Sequence, residues 1–187
     1  MGMFIKALNR PKEAFTLANK WVSIVLIALT VLVNTIFEPL LQVYAGKFDY
    51  EIDGLNMLKL TVLGVASYLV ICAVLWLVCK GFGSKAKFSD YIRTWGMTFF
   101  PTLLCAIVVA VTEVYFYVFW NSIFWGVVFN VMFGGILLWK TILYVIYLRE
   151  VALLRGGKMI GAFIVIAVFI IALAWANGHL GLITPVI

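Results

Sequence analysis

Long apolar runs alternate with short polar segments along most of this 187-residue chain. Each of five runs approaches or exceeds the roughly 20 residues that an α-helix needs to cross the hydrocarbon core of a bilayer. The pattern therefore predicts an all-α bundle of five transmembrane helices, with spans at about 21–41, 57–78, 96–119, 123–147 and 159–176. Residues 21–187 would form this membrane domain, and residues 1–20 would form a cytoplasmic amphipathic segment.

The boundary between the third and fourth spans is the least marked in the sequence. No long polar break interrupts residues 96–148, yet a continuous helix of that length would measure roughly 80 Å, far more than one bilayer. Trp120-Asn121-Ser122 is flanked by the aromatic residues Tyr115, Tyr117 and Trp125, which are typical of the lipid headgroup boundary. We therefore expect the chain to turn at Trp120-Asn121-Ser122.

The distribution of Lys and Arg predicts the orientation. Eleven of the 14 basic residues fall in the first 20 residues, in the loop after the second span and in the loop after the fourth span. The positive-inside rule assigns these segments to the cytoplasm. The N-terminus would then be cytoplasmic, and the C-terminus would lie on the far side of the membrane.

Composition excludes several classes of protein. With 65% hydrophobic and 12% charged residues, the chain has far more apolar surface than a soluble domain of this size can bury. The net charge of +6 is collected in loops beside apolar runs and not in a basic stripe with aromatic residues, which argues against nucleic acid as a partner.

The sequence carries no pattern typical of an enzyme or a metal protein, so we expect no catalytic, cofactor-binding or metal-binding residues. Cys72 and Cys79 would lie about 10 Å apart along one helix, too far for a disulfide, and Cys105 is isolated in another run. The single histidine, His179, has no neighbouring carboxylate or thiol in the sequence.

Polar residues inside the apolar runs form the candidate intramembrane site, because ionisable groups in hydrocarbon need a partner, water or a functional role. Glu113 is the leading candidate, either as a structural contact with Asn34, Asn130 or a tyrosine hydroxyl or as a substrate or proton site. Glu38 would either contact water at the outer interface or line an outward cavity. Lys140 would reach the cytoplasmic interface with its long side chain, because its depth differs from that of Glu113.

The order of several motifs resembles the Yip family of membrane proteins, which are named for their interaction with Ypt/Rab GTPases. The resemblance rests on Arg10-Pro11-Lys12-Glu13-Ala14-Phe15, on Gly81-Phe82-Gly83-Ser84-Lys85-Ala86-Lys87-Phe88, on Pro101, on Trp139-x3-Leu143 and on Leu148-Arg149. The similarity implies five spans with a cytoplasmic N-terminus and no catalytic residues.

The chain is most similar to the short prokaryotic branch of that family. It lacks the long N-terminal region and the Asp-Leu-x-Gly-Pro element of the eukaryotic members, so a Rab-type GTPase is not expected as a partner. The resemblance implies an accessory or regulatory partner of other membrane proteins, such as an ABC-type exporter, or of itself. Two alternatives are a small transporter or channel that uses Glu113 and a lipid-organising or membrane-remodelling protein.

Overall fold

The computed structural model describes residues 10, 12, 13, 15, 20–45, 53–116 and 121–182. From Lys20 onward these residues form α1 (Lys20–Leu32), a π-helical turn (Val33–Phe37), α2 (Glu38–Ala45), α3 (Gly54–Gly81), α4 (Phe88–Trp95), a 3₁₀ turn (Gly96–Thr98), α5 (Phe99–Tyr115), α6 (Ile123–Glu150) and α7 (Gly156–His179). This confirms the predicted all-α class within the described part of the chain.

Five helical segments in the described residues are long and apolar enough to cross a membrane. They are Trp21–Ala45, Gly54–Gly81, Phe88–Thr112, Ile123–Glu150 and Gly156–His179, and we refer to them as the first to fifth spans. The predicted number of helices is therefore confirmed. The described residues leave out most of the predicted amphipathic segment over residues 1–20. They also leave out Asp49 and Glu51, two acidic residues between the first and second spans, Trp120 of the predicted turn, and residues 183–187.

Several helices extend beyond the apolar runs because polar residues cap their ends. Asp53 accepts hydrogen bonds from the backbone N–H groups of Leu55 and Asn56 at 3.0 and 3.1 Å, which starts α3 ahead of its apolar core. The third span begins at Phe88, where the carboxylate of Asp90 accepts a hydrogen bond from the N–H of Lys87 at 2.9 Å. Hydropathy marks the part of a helix that lies in hydrocarbon, whereas capping determines where the helix begins.

The first span has a continuous buried face that packs against the second and third spans. The residues of this face recur every three or four positions, as expected for one side of a helix. They are Ser23, Leu26, Ile27, Thr30, Val31, Asn34, Thr35 and Glu38. Most of them are polar, while Trp21, Leu29 and Leu40 lie on the exposed face. The first span is therefore most polar on the side that faces the protein.

The π-helical turn in the first span lies directly before Pro39. Proline has no N–H group to donate to the carbonyl four residues earlier, and its ring collides with that carbonyl in a regular α-helix. In the wider π turn, the N–H of Glu38 donates to the carbonyl of Val33, five residues earlier, where a regular α-helix would use the carbonyl of Asn34. Pro39 thus explains the local change of helix type.

The fourth and fifth spans are much less covered by protein than the first three. Protein buries only 17% of the apolar stretch of the fourth span and 11% of that of the fifth span, compared with 39% to 61% for the first three spans. The fourth span packs mainly on α5, and the fifth packs on α3 and on the fourth. The described fold is therefore a three-helix core with two flanking helices whose outer faces are uncovered.

Candidate functional site

The buried polar face of the first span connects it to both neighbouring spans. The hydroxyl of Ser23 donates to the backbone carbonyl of Arg93 near the start of the third span. Thr35 Oγ1 donates to the carbonyl of Val31 at 2.9 Å and lies 3.0 Å from the hydroxyl of Thr61 in the second span. Hydrogen bonds to the helix's own carbonyls allow such hydroxyls to be buried in an apolar bundle.

Glu38 and Asn34 lie on this same face, about one helical turn apart. Their exposed fractions are 2% and 9%, so both side chains are buried inside the bundle. This burial does not favour the interpretation of Glu38 as a carboxylate in contact with water at the outer interface. Its position continues the helix face of Val31 and Thr35, and α2 packs there against α5.

Glu113 lies in the last turns of α5, and its side chain falls outside the described residues. The first and third spans run parallel, because α1 contacts α4 while α2 contacts α5. Ser23 of the first span touches Gly96 of the third span. Along the helix axes, Glu38 lies roughly 22 Å from Ser23, and Glu113 lies roughly 26 Å from Gly96. The two acidic residues thus occur at similar depth in neighbouring helices.

Asn130 does not belong to this buried group. It lies on the surface of α6 and is exposed, so the structure separates it from Asn34 and Glu38. The ammonium of Lys140 lies 6.0 Å from the ring centre of Phe99 and 5.9 Å from that of Tyr144, a range in which cations attract aromatic faces. Of the predicted site residues with described side chains, only Asn34 and Glu38 come together.

An uncovered stripe on α6 is the second candidate site. Gly126, Asn130 and Gly134 follow one another at four-residue spacing, which places them along one side of the helix. Apart from the adjoining residues and backbone of α6 itself, no atom in the described part of the chain lies within 4 Å of the position that a Cβ would take at Gly126 or Gly134. The stripe therefore offers an amide between two places where another helix backbone has room to approach.

An aromatic cluster that was not among the predicted features joins the third and fourth spans. Trp95 stacks on Tyr144 with ring centres 4.8 Å apart, and Tyr147 meets Trp95 edge-on at 4.9 Å. Tyr91 also contacts Tyr147. Two spacings in the sequence agree with this cluster. Tyr91 and Trp95 are four residues apart, and Tyr144 and Tyr147 are three residues apart, so each pair lies on one face of its helix. Such rings hold helices together through their large buried area and their stacked or edge-on contacts.

The model of the Yip1 domain family matches residues 5–176, which is nearly the whole chain. The matched range includes the buried polar face of the first span, the stripe on α6 and the glycine-rich basic loop that follows the second span. No curated protein and no solved structure matches the sequence.

Proposed function

Because the chain belongs to the Yip1 family of membrane proteins, we propose that it is a non-enzymatic accessory protein that binds other integral membrane proteins within the bilayer. The observation that carries this proposal is the stripe of Gly126, Asn130 and Gly134, in which Asn130 and Gly134 are exposed and Gly126 is half-buried. The proposed occupant of the stripe is a transmembrane helix of a partner protein, such as an ABC-type exporter.

The exposed side chain of Asn130 makes association with a partner helix energetically favourable. It lies about 10 Å along the axis from the start of α6, which is well inside a 28-residue apolar helix. Lipid tails cannot form hydrogen bonds with an amide, so an uncovered asparagine at this depth is unfavourable. A hydrogen bond to a polar group of a second helix would contribute roughly 0.6 to 2 kcal/mol to association.

The two glycines provide the geometry for that contact. Helices associate in membranes where small residues allow their backbones to approach closely, because dispersion contacts then extend along both helices. Gly126 and Gly134 flank Asn130 by one turn on each side and have open space in front of them. The described residues therefore leave the surface in front of these two glycines open to the backbone of a partner helix.

The orientation follows the charge distribution. The basic segments at the N-terminus, after the second span and after the fourth span are proposed to be cytoplasmic, in a plasma membrane. Partners would then contact the protein both through the stripe on α6 and at these basic loops.

Site-specific photo-crosslinking in native membranes tests the proposal. A photoreactive residue replaces Leu137, which is 65% exposed and lies on the same side of α6 as the stripe. We expect an adduct with one identified membrane protein, and we expect the combined variant Asn130→Leu, Gly134→Leu to lower its yield about fivefold or more.

Gly135→Leu is the matched control, because Gly135 is the next residue, has equally open surroundings and faces a direction about 100° away around the helix. The proposal fails if the adducts contain only lipid, or if the stripe variant and the Gly135→Leu control give equal yields. An adduct between two copies of this chain would instead assign the stripe to self-association.

Two other functions stay predictions. Transport depends on Glu113, whose side chain lies outside the described residues. Lipid organisation or membrane remodelling predicts lipid movement in reconstituted vesicles.

A further inference from the structure

A cavity of about 540 Å³ opens where the second span ends and the basic loop begins. Its lining includes Trp76, Lys80, Ser84, Lys85, Lys87 and Phe88. Three of these residues are lysines, and none of the residues described in the lining is acidic. The cavity is therefore a concentration of positive charge at one end of a membrane helix.

The loop that forms the cavity has a defined backbone. Gly83 adopts a φ of +96°, which is favourable only for glycine, and its N–H donates to the carbonyl of Lys80 at 3.0 Å. The N–H of Ser84 donates to the carbonyl of Cys79 at 2.9 Å. The ring of Phe82 packs against Gly161 in the fifth span, which supports the loop from the side. The lysines thus extend from an ordered turn.

The cavity combines an apolar wall with a charged rim. The ammonium of Lys80 lies 4.8 Å from the ring centre of Trp76, and Phe88 meets the same ring edge-on at 5.7 Å. Tryptophan with lysine beside it is typical of the depth at which lipid headgroups begin. The nearby carboxylate of Asp90 already accepts the backbone N–H of Lys87.

A fourth cation lies close to the same turn. The ammonium of Lys158, at the start of the fifth span, is 3.7 Å from the position that a Cβ would occupy at Gly83. The start of the fifth span therefore adds a positive charge beside the loop that carries Lys85 and Lys87. A phosphate is the group that lipids present at this boundary of the membrane.

We infer that this cavity binds the phosphate headgroup of an anionic phospholipid. The lysines would surround the phosphate, Ser84 would offer a hydroxyl donor, and Trp76 and Phe88 would contact the glycerol and upper acyl region. This inference is independent of the proposed partner binding, because it uses a different surface of the molecule.

Native mass spectrometry of the purified full-length chain tests it, with phosphatidylglycerol and phosphatidylcholine titrated separately in mild detergent. We expect the parent protein to retain phosphatidylglycerol preferentially. Each lysine near an anionic lipid surface contributes roughly fivefold in affinity, so the double variant Lys80→Gln, Lys87→Gln should bind phosphatidylglycerol about 30-fold more weakly.

Lys59→Gln is the control, because Lys59 lies on the same helix, α3, near its opposite end, and is also exposed. It should bind phosphatidylglycerol like the parent, and the double variant Lys80→Arg, Lys87→Arg should retain binding. The inference is overturned if the Lys59→Gln control and the Gln double variant lose equal amounts of binding, or if the parent retains both lipids equally. Displacement of the lipid by millimolar inorganic phosphate would also overturn it, because it would indicate a site for soluble phosphate.

Discussion

Gly96 determines how closely the first and third spans approach each other. A Cβ at this position would lie 2.5 Å from the backbone oxygen of Ser23 and 2.7 Å from its Cα. One turn earlier, the carbonyl of Arg93 accepts the hydroxyl of Ser23. The contact is made by backbone atoms, which cannot move aside as a flexible side chain would, so only glycine fits without a shift of the helices.

We expect Gly96→Ala to lower the free energy of unfolding by about 1 to 3 kcal/mol, because added atoms in a tightly packed contact force neighbouring elements apart. Thermal unfolding of the purified protein in detergent measures the change. Gly135→Ala is the control, since among the described residues only its own helix comes within 4 Å of its Cβ position. Equal shifts in both variants would show that the close approach at Gly96 is not important for stability.

At the scale of elements, a single buried hydrogen bond helps to hold the fifth span on the second. Ser67 Oγ donates to Asn177 Oδ1 at 2.8 Å, and both residues are buried. Few other parts of the fifth span are covered by protein. A polar contact therefore matters more for this helix than for the first three, where extensive packing contributes.

We expect Asn177→Ala and Ser67→Ala to be coupled in a double-mutant cycle by roughly 0.6 to 1.7 kcal/mol, which is the range found for hydrogen bonds between membrane helices. Unfolding in detergent gives the four stabilities. Asn130→Ala serves as the comparison, since Asn130 is exposed and its loss should leave the isolated chain equally stable. A coupling near zero would mean that the hydrogen bond adds nothing.

For the whole molecule, the proposed orientation places two pairs of exposed positions on opposite sides of the membrane. Leu55 and His179 are expected on the outer side, whereas Lys85 and Arg155 are expected in the cytoplasm. Single cysteines at these four positions, in a background without Cys72, Cys79 and Cys105, allow each side to be labelled separately.

An impermeant thiol reagent applied to intact cells should label the Leu55→Cys and His179→Cys variants and leave the Lys85→Cys and Arg155→Cys variants unlabelled. A permeant reagent should label all four, which controls for local accessibility. Labelling of the His179→Cys and Lys85→Cys variants from the same side would contradict an odd number of crossings. Labelling of only the Lys85→Cys and Arg155→Cys variants from outside would show that the orientation is the reverse of the proposed one.

Much of the fold was accessible from the sequence, because partition into lipid depends on the local composition of a helix. The apolar runs predicted the five helices, and motifs such as Gly81-Phe82-Gly83-Ser84 indicated the Yip family that the match over residues 5–176 confirms. Helix ends were less accessible. The fifth span continues to His179 because Asn177, a residue expected beyond its end, is bonded to Ser67 inside the bundle.

The side that each helix turns inward was decided only by the tertiary structure. Glu38 and Asn130 are both polar residues in apolar helices, yet Glu38 is buried and Asn130 is exposed. In water, the apolar face of a helix identifies the core. In a bilayer, lipid is as apolar as the protein interior, so hydropathy alone contains no such contrast. The sequence therefore determined which segments cross the membrane, and packing determined which of their residues face protein.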